Sequence, residues 1–126
     1  MDLPVIKLLF EEEKPLLDEV YAFIRSQSWG KRYELIFSSD HLLELTRRGA
    51  TKGGMILKLA ALLGVARRDI YCIGDHNNDI PMLKVSEIGF APENATDEVK
   101  ASGARIVCHC RDGALADVVD ILDKRY

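Results

Sequence analysis

The 126-residue sequence predicts an α/β chain in which an open parallel sheet follows a smaller α+β segment. Two observations carry this reading. From about residue 50 to the end, short apolar runs of strand length alternate with segments of helical spacing. The order α-β-α-β-α-β-α is that of a parallel sheet with crossover helices. Ahead of it, a strand, a helix and two strands joined by a polar turn form a separate pattern. The texture changes at Arg47, Arg48 and Gly49, which places the two segments at residues 1–46 and 47–126.

Residues 5–10 are an apolar run interrupted by Lys7 and read as the first strand. Pro15 suits the first turn of a helix, where its missing N–H costs nothing. Leu16, Leu17, Val20, Tyr21 and Ile24 follow at helical spacing, and Gly30 lies just past the end. Residues 33–37 and 42–46 are strand-like, and Ser38, Ser39 and Asp40 supply turn chemistry between them, so a hairpin is expected. Thr51 can cap a helix whose apolar face is Ile56, Leu59, Ala60 and Leu63, ended by Gly64. Residues 70–73 form a continuous apolar run, as strands buried on both faces of a parallel sheet do. A short helix through Met82 and Leu83, a strand at 88–90, a helix at 95–101 and a strand at 106–108 follow. The last helix starts near Gly113, with Asp112 as its cap and Leu115, Val118, Val119 and Leu122 facing inward.

Bulk properties narrow the function. A net charge of −3 gives no footprint for nucleic acid or an anionic membrane surface. No apolar run reaches the roughly 18 residues that span a bilayer, since Lys58 interrupts the best stretch. Asp2, Lys7 and Glu11, Glu12 and Glu13 do not fit a signal peptide. Three cysteines are an odd number in no disulfide-scaffold pattern, so a cytoplasmic location is expected. The spacing of Cys108, His109 and Cys110 suits no ordinary zinc site. Trp29 is expected to pack within the first segment.

Chemistry concentrates where the apolar strand ends. Ligands of open parallel sheets bind outside the carboxyl ends of the strands. There the chain reads Gly74, Asp75, His76, Asn77, Asn78, Asp79. Gly74 permits a sharp turn and close approach to a ligand. Asp75 and Asp79 bring together two carboxylates, which repel unless a cation lies near. Magnesium takes one or two carboxylates together with water and substrate phosphate. The alternative reading is a capped turn built from good turn residues. Lys52 stands at a helix start, where the helix dipole disfavours a cation, and Gly53 and Gly54 behind it weaken the helix further. Local choices that oppose stability tend to mark functional sites, and an amine aimed at an anion would account for them.

Three blocks together resemble the carboxyl-terminal part of the Cof-type haloacid dehalogenase-like (HAD superfamily) phosphatases. They are Ala50, Thr51, Lys52 and Gly53 with the apolar helix behind; the run from Tyr71 through Gly74, Asp75, Asn78 and Asp79 to Pro81, Met82 and Leu83; and Ala91, Pro92, Glu93, Asn94 and Ala95 with Val99 and Lys100. The resemblance implies a partial Rossmann-like core over residues 47–126 and, over 1–46, the remnant of an α+β cap domain. It implies that Lys52 contacts the transferring phosphoryl group, that Asn78 hydrogen-bonds the phosphate, and that Asp75 is a ligand of Mg2+. It further implies that Asp79 supports the metal and orients Lys52, and that Gly74 and Asn94 shape the surroundings.

Members of that family begin with an Asp-x-Asp-Gly-Thr segment, whose first aspartate is the nucleophile and whose second is the general acid and base. No Asp-x-Asp occurs in these 126 residues. The reading is therefore a Mg-dependent phosphomonoester hydrolase whose nucleophile lies outside this chain, so the chain alone is expected to be inactive. The substrate implied is a small phosphorylated metabolite. The alternative is a non-catalytic module that binds magnesium or phosphate, or that self-associates through the truncated core. A receiver-like domain is a third reading. It would need acidic residues at the ends of several strands, whereas here they cluster after one.

Overall fold

The computed structural model describes residues 5–126. Residues 1–4, including Asp2 of the amino-terminal charge pattern, lie outside the described residues. The chain divides into two compact units, the first ending at Thr51 and the second spanning Lys52–Tyr126.

The first unit contains β1 (Lys7–Glu11), α1 (Lys14–Ser26), β2 (Tyr33–Ser39) and β3 (Leu42–Arg47). Its sheet is antiparallel, in the order β1-β3-β2. Pro15 sits in the first turn of α1. Leu17 and Ile24 share one face of the helix and meet Leu35, Leu43 and Leu45 from the hairpin in a closed core. Leu35 pairs with Leu45 and Phe37 with Leu43, and a bulge after Phe37 re-aims the end of β2. Trp29 stands edge-on to Tyr33, with ring centroids 6.1 Å apart.

The second unit contains α2 (Lys52–Leu63), β4 (Tyr71–Ile73), α3 (Ile80–Val85), β5 (Ile88–Pro92), α4 (Asp97–Ala101), β6 (Arg105–Val107) and α5 (Ala114–Asp123). The strands are parallel in the order β4-β5-β6, so this is an α/β unit with β5 at the centre. The period-2 alternation of strand side chains divides its core in two. Cys72 and Ala91 join Ile70, Leu83, Ala95 and Val99, with Ile56 and Ala60 of α2 packed alongside. Phe90 and Val107 point the other way, onto Ala114 and Val118 of α5. Among the described residues β4 has a strand partner on one side only, and its other edge is open.

Four sequence expectations are corrected. The inward face of α5 is Ala114 and Val118 with Ile121 and Leu122, while Leu115 is 65 % exposed. The reason is phase: the helix opens at Ala114, and positions i, i+4, i+7 and i+8 from there face the sheet. Its cap position is Gly113 at φ 96°, whereas Asp112 belongs to the preceding 3-10 turn. Along α2, Ile56 and Ala60 pack inward but Leu59 and Leu63 are exposed, as are Met55, Leu57 and Leu62. Cys108 lies just past β6 and is half-buried rather than a strand residue.

Candidate active site

The carboxyl ends of β4, β5 and β6 lead into three loops, residues 74–79, 93–96 and 108–113, that are stitched together by hydrogen bonds. The first is tied to the sheet where the Gly74 N–H donates to the Phe90 carbonyl at 3.1 Å. It then folds back on itself. A Cβ on Gly74 would lie 2.4 Å from the Cβ of Asp79, so only glycine lets Asp79 rest against the start of its own loop.

Asp79 is 5 % exposed and fully partnered. Its Oδ2 accepts hydrogen bonds from the backbone N–H of Asp75 at 3.1 Å and of His76 at 3.2 Å. Its Oδ1 accepts from the Lys52 ammonium in a salt bridge. A buried carboxylate is tolerable when charge-assisted donors surround it, and three do so here.

Lys52 is the first residue of α2. It reaches Asp79 because the starts of α2 and α3 touch backbone to backbone at Gly53. A Cβ there would lie 2.2 Å from the Pro81 carbonyl oxygen. The helix-weakening glycine therefore has a packing cause, and the unfavourable cation at the helix start is offset by the carboxylate beside it. The lysine side chain remains half-exposed and able to meet a ligand.

Asp75 is exposed. Its backbone N–H is held by Asp79 and its carbonyl accepts the Thr96 N–H at 3.0 Å, while its carboxylate has no partner among the described residues. Among the described residues, the buried Oδ1 of Asn78 finds no hydrogen-bond partner, and neither does Nδ1 of His76. Asn94 Oδ1 accepts the backbone N–H of Cys110 at 3.0 Å, bracing the third loop against the second. Ile73, Gly74, Asp75, Pro92, Cys110 and Leu115 border a cleft of about 470 Å³ at this end of the sheet. Among the described residues no three His, Cys, Asp or Glu side chains converge on a metal cage.

Lys52, Asp75, Asn78 and Asp79 are thus brought onto one loop and its immediate neighbour, and Asn94 stands one loop away. Two supporting residues escaped the sequence reading. Thr96 binds the first loop, and its signal was present: a threonine before Asp97 and Glu98 has the form of a helix cap. Asp117 Oδ2 accepts the Cys108 N–H at 3.0 Å, which holds its carboxyl below the usual range, and the Asp117 carboxylate beside the Cys108 side chain raises that thiol. Nothing in the local sequence around Asp117 marks it.

The model of the haloacid dehalogenase-like hydrolase family matches residues 1–119. The chain belongs to this family. The expected likeness to the carboxyl-terminal part of Cof-type HAD members agrees with that match. A 5-amino-6-(5-phospho-D-ribitylamino)uracil phosphatase, YwtE, of Bacillus subtilis is 34 % identical over 85 residues, which are 68 % of this chain and 30 % of that protein. A phosphoglycolate phosphatase of Methanopyrus kandleri is 32 % identical over 84 residues, 67 % of this chain and 36 % of that one. A haloacid dehalogenase-like hydrolase from Bacteroides thetaiotaomicron, known from its crystal structure, superposes with a TM-score of 0.75 at 27 % identity, covering 97 % of this chain and 46 % of its own. The chain spans about a third of the length of these curated relatives. Among its described residues, no helix is long and apolar enough to cross a membrane.

Proposed function

We propose that this HAD-family chain supplies one wall of a Mg-dependent phosphomonoester hydrolase site whose nucleophilic segment comes from outside the 126 residues. The observation that carries the reading is the Lys52 ammonium held on Asp79 while Asp79 also grips the backbone of Asp75. One carboxylate thereby sets a cation from the start of α2 beside the loop that carries an unpaired carboxylate. In this reading residues 47–126 are the second half of a Rossmann-like core, and 1–46 are the end of a cap domain.

Each side chain has a task that its geometry suits. Lys52 meets the phosphoryl oxygens and offsets their charge, which is most of what phosphoryl transfer asks of a protein. Asn78 gives its amide to the phosphate, and its unpartnered buried oxygen fits a side chain that is completed by a ligand or another segment. Asp79 orients Lys52 through their salt bridge. Asp75, exposed and with no carboxylate partner among the described residues, would hold a magnesium ion from this wall. Bound magnesium supplies charge neutralisation at the phosphate oxygens. The nucleophile comes from the family's Asp-x-Asp segment: its oxygen bonds to phosphorus as the ester P–O bond breaks, the leaving alkoxide takes a proton, and water then hydrolyses the aspartyl-phosphate. The relatives named as phosphatases of phosphorylated small molecules support a small phosphorylated metabolite as substrate. Three free cysteines fit a reducing, cytoplasmic setting.

The test is a phosphatase assay on the purified chain with a panel of sugar phosphates and Mg2+. No turnover is expected. Steady turnover abolished by Asp75→Ala would show that the chain holds its own nucleophile, against the proposal.

A second reading, an association module, is favoured by one observation. α2 exposes Met55, Leu57, Leu59, Leu62 and Leu63, with Leu62 82 % exposed, and β4 offers an open edge in the same unit. Such surfaces seek cover. Sedimentation should find a concentration-dependent dimer or larger species. A monomer up to hundreds of micromolar would remove this reading.

A further inference from the structure

Thr96 stands between two elements and serves both. It is the N-cap of α4, where its hydroxyl oxygen accepts the Val99 N–H at 3.4 Å. The same hydroxyl donates its one proton to Asn77 Oδ1 at 2.9 Å, and the Thr96 backbone N–H donates to the carbonyl of Asp75 at 3.0 Å. A threonine hydroxyl has one donor and two acceptor positions, so this arrangement uses its proton on the loop and a lone pair on the helix. Loop 74–79 is consequently held from two sides. Asp79 takes the N–H groups of Asp75 and His76 from within. Thr96 takes the carbonyl of Asp75 and the side chain of Asn77 from outside. The residue gripped on both its N–H and its C=O is Asp75, the one whose carboxylate is free.

We propose that Thr96 is a positioning residue for Asp75: its backbone N–H fixes the Asp75 carbonyl and its hydroxyl fixes Asn77 two residues on, so that with the Asp75 N–H held by Asp79 the carboxylate keeps the direction from which it serves a divalent cation. This rests on the reading of Asp75 as a magnesium ligand and adds to it the residue that presets the ligand. A site pre-set in this way binds more tightly because less conformational freedom is lost on binding. Loss of a second partner of this kind weakens metal affinity by roughly tenfold to a hundredfold in well-formed sites, and a site with a single protein carboxylate should respond at the lower end of that range.

The experiment uses the full chain and MgCl2 alone, followed by amide NMR, in the wild type and in Thr96→Val, Thr96→Ser and Asn77→Ala. Thr96→Val keeps the shape and removes the hydroxyl. Asn77→Ala removes its loop partner and leaves the cap of α4 intact, which separates loop positioning from helix stability. Two quantities are read: exchange of the Asp75 and His76 amides without metal, and the Mg2+ dissociation constant. Thr96→Val and Asn77→Ala should each speed exchange about tenfold and raise the dissociation constant about tenfold, and Thr96→Ser should restore both. Faster exchange with unchanged Mg2+ affinity overturns the proposal, as does unchanged exchange in both variants. If the wild type shows no Mg2+ response, the assignment of Asp75 as a metal ligand fails, and the proposal built on it fails with it. The exchange data then separately report whether Thr96 holds the loop.

Discussion

Gly53→Ala should destabilise the second unit by about 1–3 kcal/mol, even though alanine is the better helix former by roughly 0.8–1 kcal/mol. The added methyl carbon would lie 2.2 Å from the Pro81 carbonyl oxygen and 2.5 Å from its carbonyl carbon, and both are backbone atoms that no rotamer change can move aside. Relief requires α2 to shift away from α3. That shift draws Lys52 from Asp79, so the same variant should lose lysine–carboxylate contact as well as stability. Urea unfolding followed by amide signals of β5 measures the first effect, and the Lys52 side-chain ammonium resonance follows the second. A variant as stable as the wild type, or more so, would mean that the close approach of the two helix starts is not the native packing.

Asp79→Ala should cost more, about 2–4 kcal/mol. The substitution leaves the part-buried N–H groups of Asp75 and His76 without their acceptor, at roughly 1–3 kcal/mol for a fully buried donor and less where water enters. Little is added for the lysine, because its ammonium is half-exposed and regains water when released. Asp79→Asn keeps the shape and one acceptor oxygen, so its loss should be clearly smaller. The difference between the two variants in urea unfolding is the decisive quantity. Equal losses would mean that the charge of Asp79, and not its grip on the loop backbone, is what the fold uses.

Much of this was legible in the residues. The strands and helices of the second unit follow from alternating apolar runs and helical spacing, and the loop after residues 70–73 stands out because carboxylates and amides crowd behind a buried strand. Lys52 was conspicuous because it opposes its helix. What the sequence hid was phase and distance. The inward face of α5 depends on whether the helix opens at Gly113 or Ala114, and a single residue rotates the face by about 100°. Gly53 looked like a liability because the backbone it touches, Pro81, lies 28 positions along the chain. Thr96 and Asn77, 19 residues apart, are joined only through tertiary folding. The expected apolar face of α2 failed for another reason: its Leu59 and Leu63 are apolar without being covered, and spacing alone cannot tell the two apart.

The carboxylate of Asp79 joins an ammonium on one oxygen to two peptide units on the other, and this has a consequence for measuring the site. Replacing Lys52, Asp79 or the residues that grip the loop interrogates one shared object, so the losses from single replacements overlap and their sum exceeds the whole. Only thermodynamic cycles that change the partners in pairs can say how much of the coupling belongs to the charge and how much to the folded loop.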